Sequence, residues 1–428
     1  MIHGEARIRL AEWTRASPRD HPPLAGRVLS SWGRDQAAAL ELSGAVRIRE
    51  LRAGIEVETR SFVGSIDLDG LRIDLAPKMG LPRLMQMVAR SYGLGDLTVL
   101  EPQLLQSVGQ TGFVDLLGLA LELEIQRLAR RGLLQDYVLC EEEVSTPRGR
   151  MDLRRWASSP PSTRVLCRFE TYTPDHDLHH VIRAGLTFAA GLVHDRRLRL
   201  DLARTAERFF PDVEHRRLTR SDWSEAIRAI TRRTASYRRA LGLIGILLDG
   251  HGVDSERTRG SSAVPAFLLD MNRLFERFLE RELERSKARP FTVRRQVQDL
   301  AAFRWIDNPR CRRTPELRPD LLFTRRGRTL AVADAKYKDY DVRPLATADL
   351  YQVTAYAYAC GSQEAAPVLM LYPTTSAELV TAGVLRFAGM GGRSPVRISV
   401  LGVPVTRMLE DATYDLGSIL AARLEVAS

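Results

Sequence analysis

Three side chains in one short stretch are of the right type and spacing to act together. From Arg318 to Lys338 the chain reads RPDLLFTRRGRTLAVADAKYK. Apolar runs on either side of an Arg-Arg-Gly-Arg turn predict two strands, Leu317–Phe323 and Thr329–Tyr337. Side chains alternate faces along a strand, so Asp334 and Lys336 share a face with Leu330 and Val332, the face expected to meet a core. Charge at such a place is costly unless it is paired or binds a metal. Asp320 lies on the partner strand, where it can converge with Asp334. Two carboxylates and the main-chain carbonyl of Ala335 make an oxygen-rich site suited to Mg²⁺. Such an ion polarises a phosphodiester and stabilises the leaving oxygen. The ammonium of Lys336 can position the attacking water and offset charge on the phosphorane. The competing reading is a plain strand-edge ion pair between Asp334 and Lys336, because D-x-K is common by chance.

The elements around this stretch predict a mixed sheet. A long amphipathic helix is expected over residues 263–285, with Phe267, Met271, Leu274, Phe275 and Phe278 on its apolar stripe. A second helix is expected over Ala348–Ala359. Short strands follow at Val368–Tyr372, Gly383–Phe387 and Val396–Val400, which makes residues 251–428 an α/β domain. Residues 1–110 read as a β-rich domain, with strands at Ala6–Leu10, Val46–Leu51 and Ile55–Glu58. A hairpin turns at Asp69-Gly70, and a short helix covers Pro82–Tyr92. Residues 111–250 read as a mainly helical connecting domain. Its helices cover 113–131 (closed by Gly132), Leu178–Val193 and Trp223–Leu248, and it has one strand at Tyr137–Val144.

Charge is distributed unevenly over the 428 residues. The formal net charge is +10, and residues 251–350 alone carry 21 basic against 15 acidic groups. A localised basic surface is what a polyanion such as DNA requires. Nearly all the basic residues are arginine; the four lysines are Lys78, Lys287, Lys336 and Lys338. A chain that avoids lysine nonetheless keeps one at Lys336. No apolar run reaches the length of a membrane span. The N-terminus has no secretion-type apolar segment. Cys140, Cys167, Cys311 and Cys360 form no C-x-x-C pair, which fits reduced thiols in a cytoplasmic protein. No G-x-x-x-x-G-K-[ST] motif is present, so nucleotide hydrolysis by this chain is not expected.

With Gln352 and Tyr356 (Q-x-x-x-Y) on the following helix, the Asp320/Asp334/Lys336 segment resembles the PD-(D/E)xK nuclease superfamily, especially its RecB-like branch. The resemblance implies that Gln352 and Tyr356 orient the site and that Glu276, on the preceding helix, completes the metal shell or activates water. Periodicity does not choose the acid: Glu276 borders the apolar stripe and Glu282 falls nearer its centre. A narrower resemblance runs along most of the chain. It comprises the hairpin with Pro77-Lys78, the turn from Pro147 to Arg154, Phe169–Asp175, the helix from Met271 to Phe278, and the Pro319–Lys336 hairpin. In this order they resemble the McrC family, the nuclease subunit of 5-methylcytosine-dependent restriction systems. The chain departs from the family at His179, where Asn is frequent.

The resemblance implies Mg²⁺-dependent (or Mn²⁺-dependent) DNA cleavage and activation by a partner AAA+ GTPase, McrB-like, that recognises the modified DNA. It also implies that the N-terminal domain engages this motor. Two other functions stay open: a standalone RecB-like repair nuclease, and a non-catalytic adaptor that binds DNA and stimulates a GTPase. Candidate phosphate contacts are Arg148 and Arg150, which could equally brace the helical domain, and Arg325, Arg326 and Lys338. His176 and His180 share a helix face but lack a third ligand for zinc, so capping by Asp175 or Asp177 is the preferred account of that cluster. Ser145 and Ser162 have no partners for nucleophilic chemistry.

Overall fold

The computed structural model describes residues 6–94, 112–158, 163–251, 266–286, 290–295, 302–314, 316–361, 364–389 and 394–427. Alternating sequence builds β1 (Ala6–Ala11), β3 (Val46–Leu51), β4 (Gly54–Thr59), β5 (Phe62–Leu68) and β6 (Leu71–Ala76) as expected, and the two-residue β2 (Arg15–Ala16) joins them. The β5–β6 turn holds Asp69 at φ 45° and Gly70 at φ 70°, the left-handed pair that a two-residue hairpin needs. Between β2 and β3 lies a helix the alternation did not suggest, α1 (Ser31–Leu42), capped by Ser30, whose hydroxyl accepts the Gly33 N–H. Next come α2 (Leu81–Tyr92), α3 (Phe113–Arg130), β7 (Asp136–Val144), β8 (Arg150–Met151), α4 (Leu153–Ser158) and β9 (Val165–Thr173). Four helices follow, α5 (Asp177–Leu192), α6 (Arg196–Phe209), α7 (Arg220–Arg228) and α8 (Arg238–His251). The periodicity of Trp223–Leu248 is therefore split between two helices. They are joined by the Trp223 indole N–H, which donates to the Leu241 carbonyl at 2.7 Å.

The expected helix over residues 263–285 needs correction. Residues 263–265 lie outside the described residues, Ala266–Asp270 is a strand (β10), and the helix α9 spans Met271–Arg285. An apolar run as short as AFLLD cannot be assigned by periodicity. Strand β5 supplies its partner in the four-stranded sheet β1-β6-β5-β10. Asp270 then caps α9 by accepting the Asn272 N–H at 2.9 Å, and Asn272 Nδ2 donates to Ser61 Oγ at 2.6 Å.

The remaining elements are β11 (Thr292–Arg295), β12 (Leu321–Arg325), β13 (Arg328–Ala335), α10 (Thr347–Cys360), β14 (Val368–Pro373), β15 (Val380–Phe387), β16 (Val396–Val403), α11 (Val405–Glu410) and α12 (Leu416–Ala427). They build a six-stranded sheet in the order β11-β12-β13-β14-β16-β15. It is mixed, as expected: β13, β14 and β16 are parallel neighbours, while β11–β12, β12–β13 and β15–β16 are antiparallel. Helix α10 covers one face, where Val353, Tyr356 and Ala357 pack with Val332, Val368, Met370 and Ile398.

The chain divides into two compact units. One gathers Met1–Ile8, Gly64–Asp74 and Leu97–Leu268; the other gathers Arg9–Val63, Leu75–Asp96 and Leu269–Ser428. The boundary expected near residue 110 lies outside the described residues. Among the described residues no helix is long and apolar enough to cross a membrane.

Gly64, at φ 145°, is where β5 and β10 meet: a Cβ there would stand 1.8 Å from the Phe267 carbonyl oxygen. Gly64→Ala should therefore cost about 2 kcal/mol or more, read as a shift in the urea midpoint.

Candidate functional site

The β12–β13 hairpin brings the two aspartates together. Its register pairs Leu321 with Ala333, so one step further on Asp320 faces Asp334. The strand expected from Leu317 starts instead at Leu321, and Asp320 sits just ahead of it. Its Oδ2 accepts the Ala335 N–H at 2.7 Å, which pins it across the hairpin. Asp334 is 1% exposed, on the face of β13 that carries the fully buried Val332, whereas Leu330 is half-buried. Lys336 follows the last strand residue, and its N–H continues the ladder to the Leu371 carbonyl at 2.8 Å.

Lys336 Nζ lies 2.8 Å from Asp334 Oδ2 and donates to Gln352 Oε1 at 2.9 Å. Gln352 Nε2 donates to the Tyr356 hydroxyl at 2.7 Å, and that hydroxyl donates to the Arg318 carbonyl at 3.1 Å. Helix α10 thus reaches from the lysine back to the segment that carries Asp320. The structure brings Asp320, Asp334, Ala335, Lys336, Gln352 and Tyr356 into one connected group.

Glu276 on α9 belongs to the same electrostatic cluster. Burial, and then the charges of Asp320, Asp270, Asp334 and Glu280, push its carboxyl up to about 8. Burial and Asp334 push Asp320 up to about 7, against the opposing Ala335 N–H and Lys336. Asp334 is also raised, because burial outweighs Lys336. For Lys336 burial pulls the other way, but Asp334 and Asp349 hold its pKa above the ordinary lysine value. Glu282, the competing acid, is occupied elsewhere: it pairs with Arg90 at 3.5 Å and Arg285 at 3.2 Å.

Two residues of the cluster escaped the sequence reading. Asp349 on α10 lies 2.5 Å from Lys338 Nζ and 3.9 Å from Lys336 Nζ, and it accepts the Tyr340 hydroxyl. Its pKa is lowered, since the Lys338 and Tyr340 hydrogen bonds outweigh burial. The usable signal was D-x-x-Q-x-x-x-Y, which places Asp349, Gln352 and Tyr356 along one helix face. Glu280, four residues after Glu276, was the other.

Three acids, Asp334 buried and Glu276 and Asp320 half-buried, with one close ammonium hold excess negative charge, and oxygen donors of this kind suit a hard divalent cation. Glu276, Asp320 and Asp334 could hold it. Among the described residues no three His, Cys, Asp or Glu side chains already stand at coordinating spacing. Mg²⁺ commonly takes only one or two protein carboxylates and keeps its waters, so the donor set still fits.

The candidate phosphate contacts are scattered. Arg325 and Arg326 occupy the exposed hairpin turn, about 16 Å along the strand from the acids at ~3.3 Å per residue. Lys338 is engaged with Asp349. Arg148 and Arg150 belong to the other unit, with the β7-β9-β8 sheet. The Arg148 guanidinium stacks 4.0 Å over the Phe169 ring, and the Arg150 backbone lies opposite Arg168 in the β8–β9 ladder.

The histidine cluster is structural, but not by the expected capping. His176, not an aspartate, is the N-cap of α5, and it makes no side-chain cap bond. Asp175 instead accepts from His180 Nε2 at 2.7 Å and from the Glu214 N–H at 2.8 Å. Fully buried His179 bridges the Pro174 carbonyl at 2.7 Å and the Tyr237 hydroxyl at 2.9 Å. Ser162 lies outside the described residues.

A mixed α/β protein with several sheets and a buried acid-and-lysine centre at one strand end is the class that fold and site define. The model of a known family, described as McrBC 5-methylcytosine restriction system component, matches residues 57–373, well over half of the chain. The chain belongs to this family. Among solved structures, a chain of the half-complex from the tetradecameric assembly of Thermococcus gammatolerans McrB AAA+ hexamers with bound McrC is similar over 92% of this chain and 94% of that one. The identity is 17% and the TM-score 0.55, a likeness of fold. A chain of the cryo-EM structure of the Thermococcus gammatolerans McrBC complex covers 65% of this chain and 88% of its own, at 17% identity and a TM-score of 0.44. No curated protein matches.

Burial holds the His179 ring at a pKa of about 4, against an ordinary value of 6.5. Between those values the unfolded chain takes up a proton that the folded ring refuses. Stability from this residue is therefore full above pH 6.5 and is lost as pH falls towards 4. Urea unfolding between pH 7 and pH 5 should show that loss, and His179→Asn should flatten the profile over the same window.

Proposed function

We propose that this chain is the Mg²⁺-dependent nuclease subunit of a modification-dependent restriction system, with its catalytic centre in a PD-(D/E)xK-type domain. One observation carries the reading: Asp320 pinned to the Ala335 N–H opposite buried Asp334, with Lys336 held between Asp334 and Gln352. A simple ion pair needs neither the second aspartate nor the Gln352–Tyr356 relay. Membership of the restriction-system family supports the same conclusion.

Asp320, Asp334 and Glu276 would hold the cation, with the Ala335 carbonyl beside them. When bound, it supplies Lewis-acid polarisation of the phosphodiester and charge relief at the leaving oxygen. The chain's own residues do the rest. Asp334 and Gln352 fix the Lys336 ammonium where it can orient the attacking water and neutralise charge gathering on the phosphorane oxygens. Tyr356 holds Gln352 and, through the Arg318 carbonyl, the approach to Asp320. Glu276, with its raised pKa, can exchange a proton with its surroundings near neutral pH. The partner would be an AAA+ GTPase. The similar fold comes from an assembly of McrB AAA+ hexamers with McrC, and a P-loop motif is absent from this sequence. A cytoplasmic setting goes with the four free cysteines.

The test combines the full chain with methylated DNA, Mg²⁺, an AAA+ partner and GTP. Asp334→Asn should lower cleavage by roughly a thousandfold or more while leaving the melting temperature within a few degrees. EDTA should abolish cutting. Added Mg²⁺ should raise the melting temperature of the unaltered chain but not of the variant. Undiminished cutting by Asp334→Asn sinks the assignment; cutting without any GTPase would instead indicate a standalone nuclease.

A further inference from the structure

Strand β11 ends at Arg295, which pairs with Leu321 at the start of β12. The chain therefore leaves β11 and enters β12 at the same end of the sheet, the end that carries Asp320 and Asp334. The exposed Arg325-Arg326 turn lies at the opposite end. The connection between the two strands includes residues 302–314, and their composition is unusual for a surface. Phe303, Trp305 and Ile306 are 50%, 41% and 104% exposed. Arg304, Arg310, Arg312 and Arg313 are also exposed, against the single acid Asp307. The segment is nevertheless built. The Arg312 N–H donates to Asn308 Oδ1 at 2.7 Å, Asn308 Nδ2 donates to the Arg312 carbonyl at 2.7 Å, and the Cys311 N–H donates to the Asn308 carbonyl at 3.0 Å. This turn holds three arginines close together. One of them, Arg313, lies 3.8 Å from Glu316.

We propose that the Phe303–Arg313 segment is a strap that docks on duplex DNA beside the phosphate being cut. The proposal rests on the nuclease reading and deepens it. Charge argues for the occupant: guanidinium forks match phosphate oxygens, and the strap's net positive charge complements a polyanion. Exposed Trp, Phe and Ile next to arginine are the residue types that press into a groove while the arginines hold the backbone. Reach argues for the location. From Arg313 to Asp320 is seven residues, at most about 25 Å of extended chain, within one ~34 Å turn of duplex from the scissile bond. The strap and the acids would therefore contact the same stretch of DNA.

The experiment measures binding of the full chain to a labelled duplex of about three helical turns, in EDTA so that nothing is cut, across a salt series. The Arg310→Ala/Arg312→Ala/Arg313→Ala variant should lower affinity roughly tenfold or more and reduce the log–log salt slope by about two to three, one counterion term per lost phosphate contact. The Phe303→Ser/Trp305→Ser/Ile306→Ser variant should lower affinity with the slope unchanged, because it removes apolar contact and no charge. Circular dichroism melts check that both variants fold. If both bind like the unaltered chain, the strap is not a DNA contact, whereas the nuclease reading still stands or falls on Asp334→Asn. If the unaltered chain binds no duplex, the inference also fails. Retained DNA affinity with lost association to the AAA+ partner would make the segment a protein interface and overturn it as well.

Discussion

Everything at the site depends on one register. Leu321 against Ala333 sets Asp320 against Asp334, and the Ala335 N–H donating to Asp320 keeps the pair from parting. A slip of one residue would turn Asp334 and Lys336 to the other face of the sheet and away from α10. The bulge between Phe323 and Thr324 takes up the irregularity near the turn and leaves the acid end regular. Burial then gives the arrangement its chemistry. Out of water, neighbouring carboxylates resist ionising together, which is why Asp320 and Glu276 titrate near neutrality rather than near 4. A site that raises the pKa of its acids in this way is a site with room for compensating positive charge.

The helix behind the hairpin supplies what a strand cannot. Along β13 only alternate residues share a face, as Asp334 and Lys336 do, whereas Asp349, Gln352 and Tyr356 lie along one face of α10 and meet the ammonium groups and the Arg318 carbonyl in sequence. Asp349 holds Lys338 and Tyr340, Gln352 holds Lys336, and Tyr356 closes the circuit. The D-A-K-Y-K run is thus divided between tasks: Lys336 faces the aspartates, and Lys338 anchors the chain as it leaves the strand. Glu12 plays a comparable anchoring part: it is buried, raised to about 7 by desolvation, and accepts the Tyr337 hydroxyl at 3.4 Å.

How much could be read in advance follows from the range of each interaction. Hairpins, strand alternation and the helices at Leu81, Phe113 and Thr347 rest on contacts a few residues apart, and the sequence pattern displays them. The AFLLD segment misled because its status depends on β5, some two hundred residues earlier. Helix α1 was hidden by a run of small and polar residues with little amphipathic signal. The choice between Glu276 and Glu282 needed Arg90, a partner in another element that no helical wheel contains. The capping expected of Asp175 gave way to a hydrogen bond with His180 and one with the backbone at Glu214.

By itself the sequence determined the chemistry on offer: two aspartates and a scarce lysine on a hairpin, a Gln–Tyr helix behind them, arginine in place of lysine elsewhere, and no P-loop. These are properties of residue type and short spacing. Only the tertiary structure decided which acids meet, which lysine is free to face them, and at which end of the sheet the arginine-and-aromatic segment emerges. Those outcomes depend on strand order and on burial, and both arise from pairing between residues far apart along the chain.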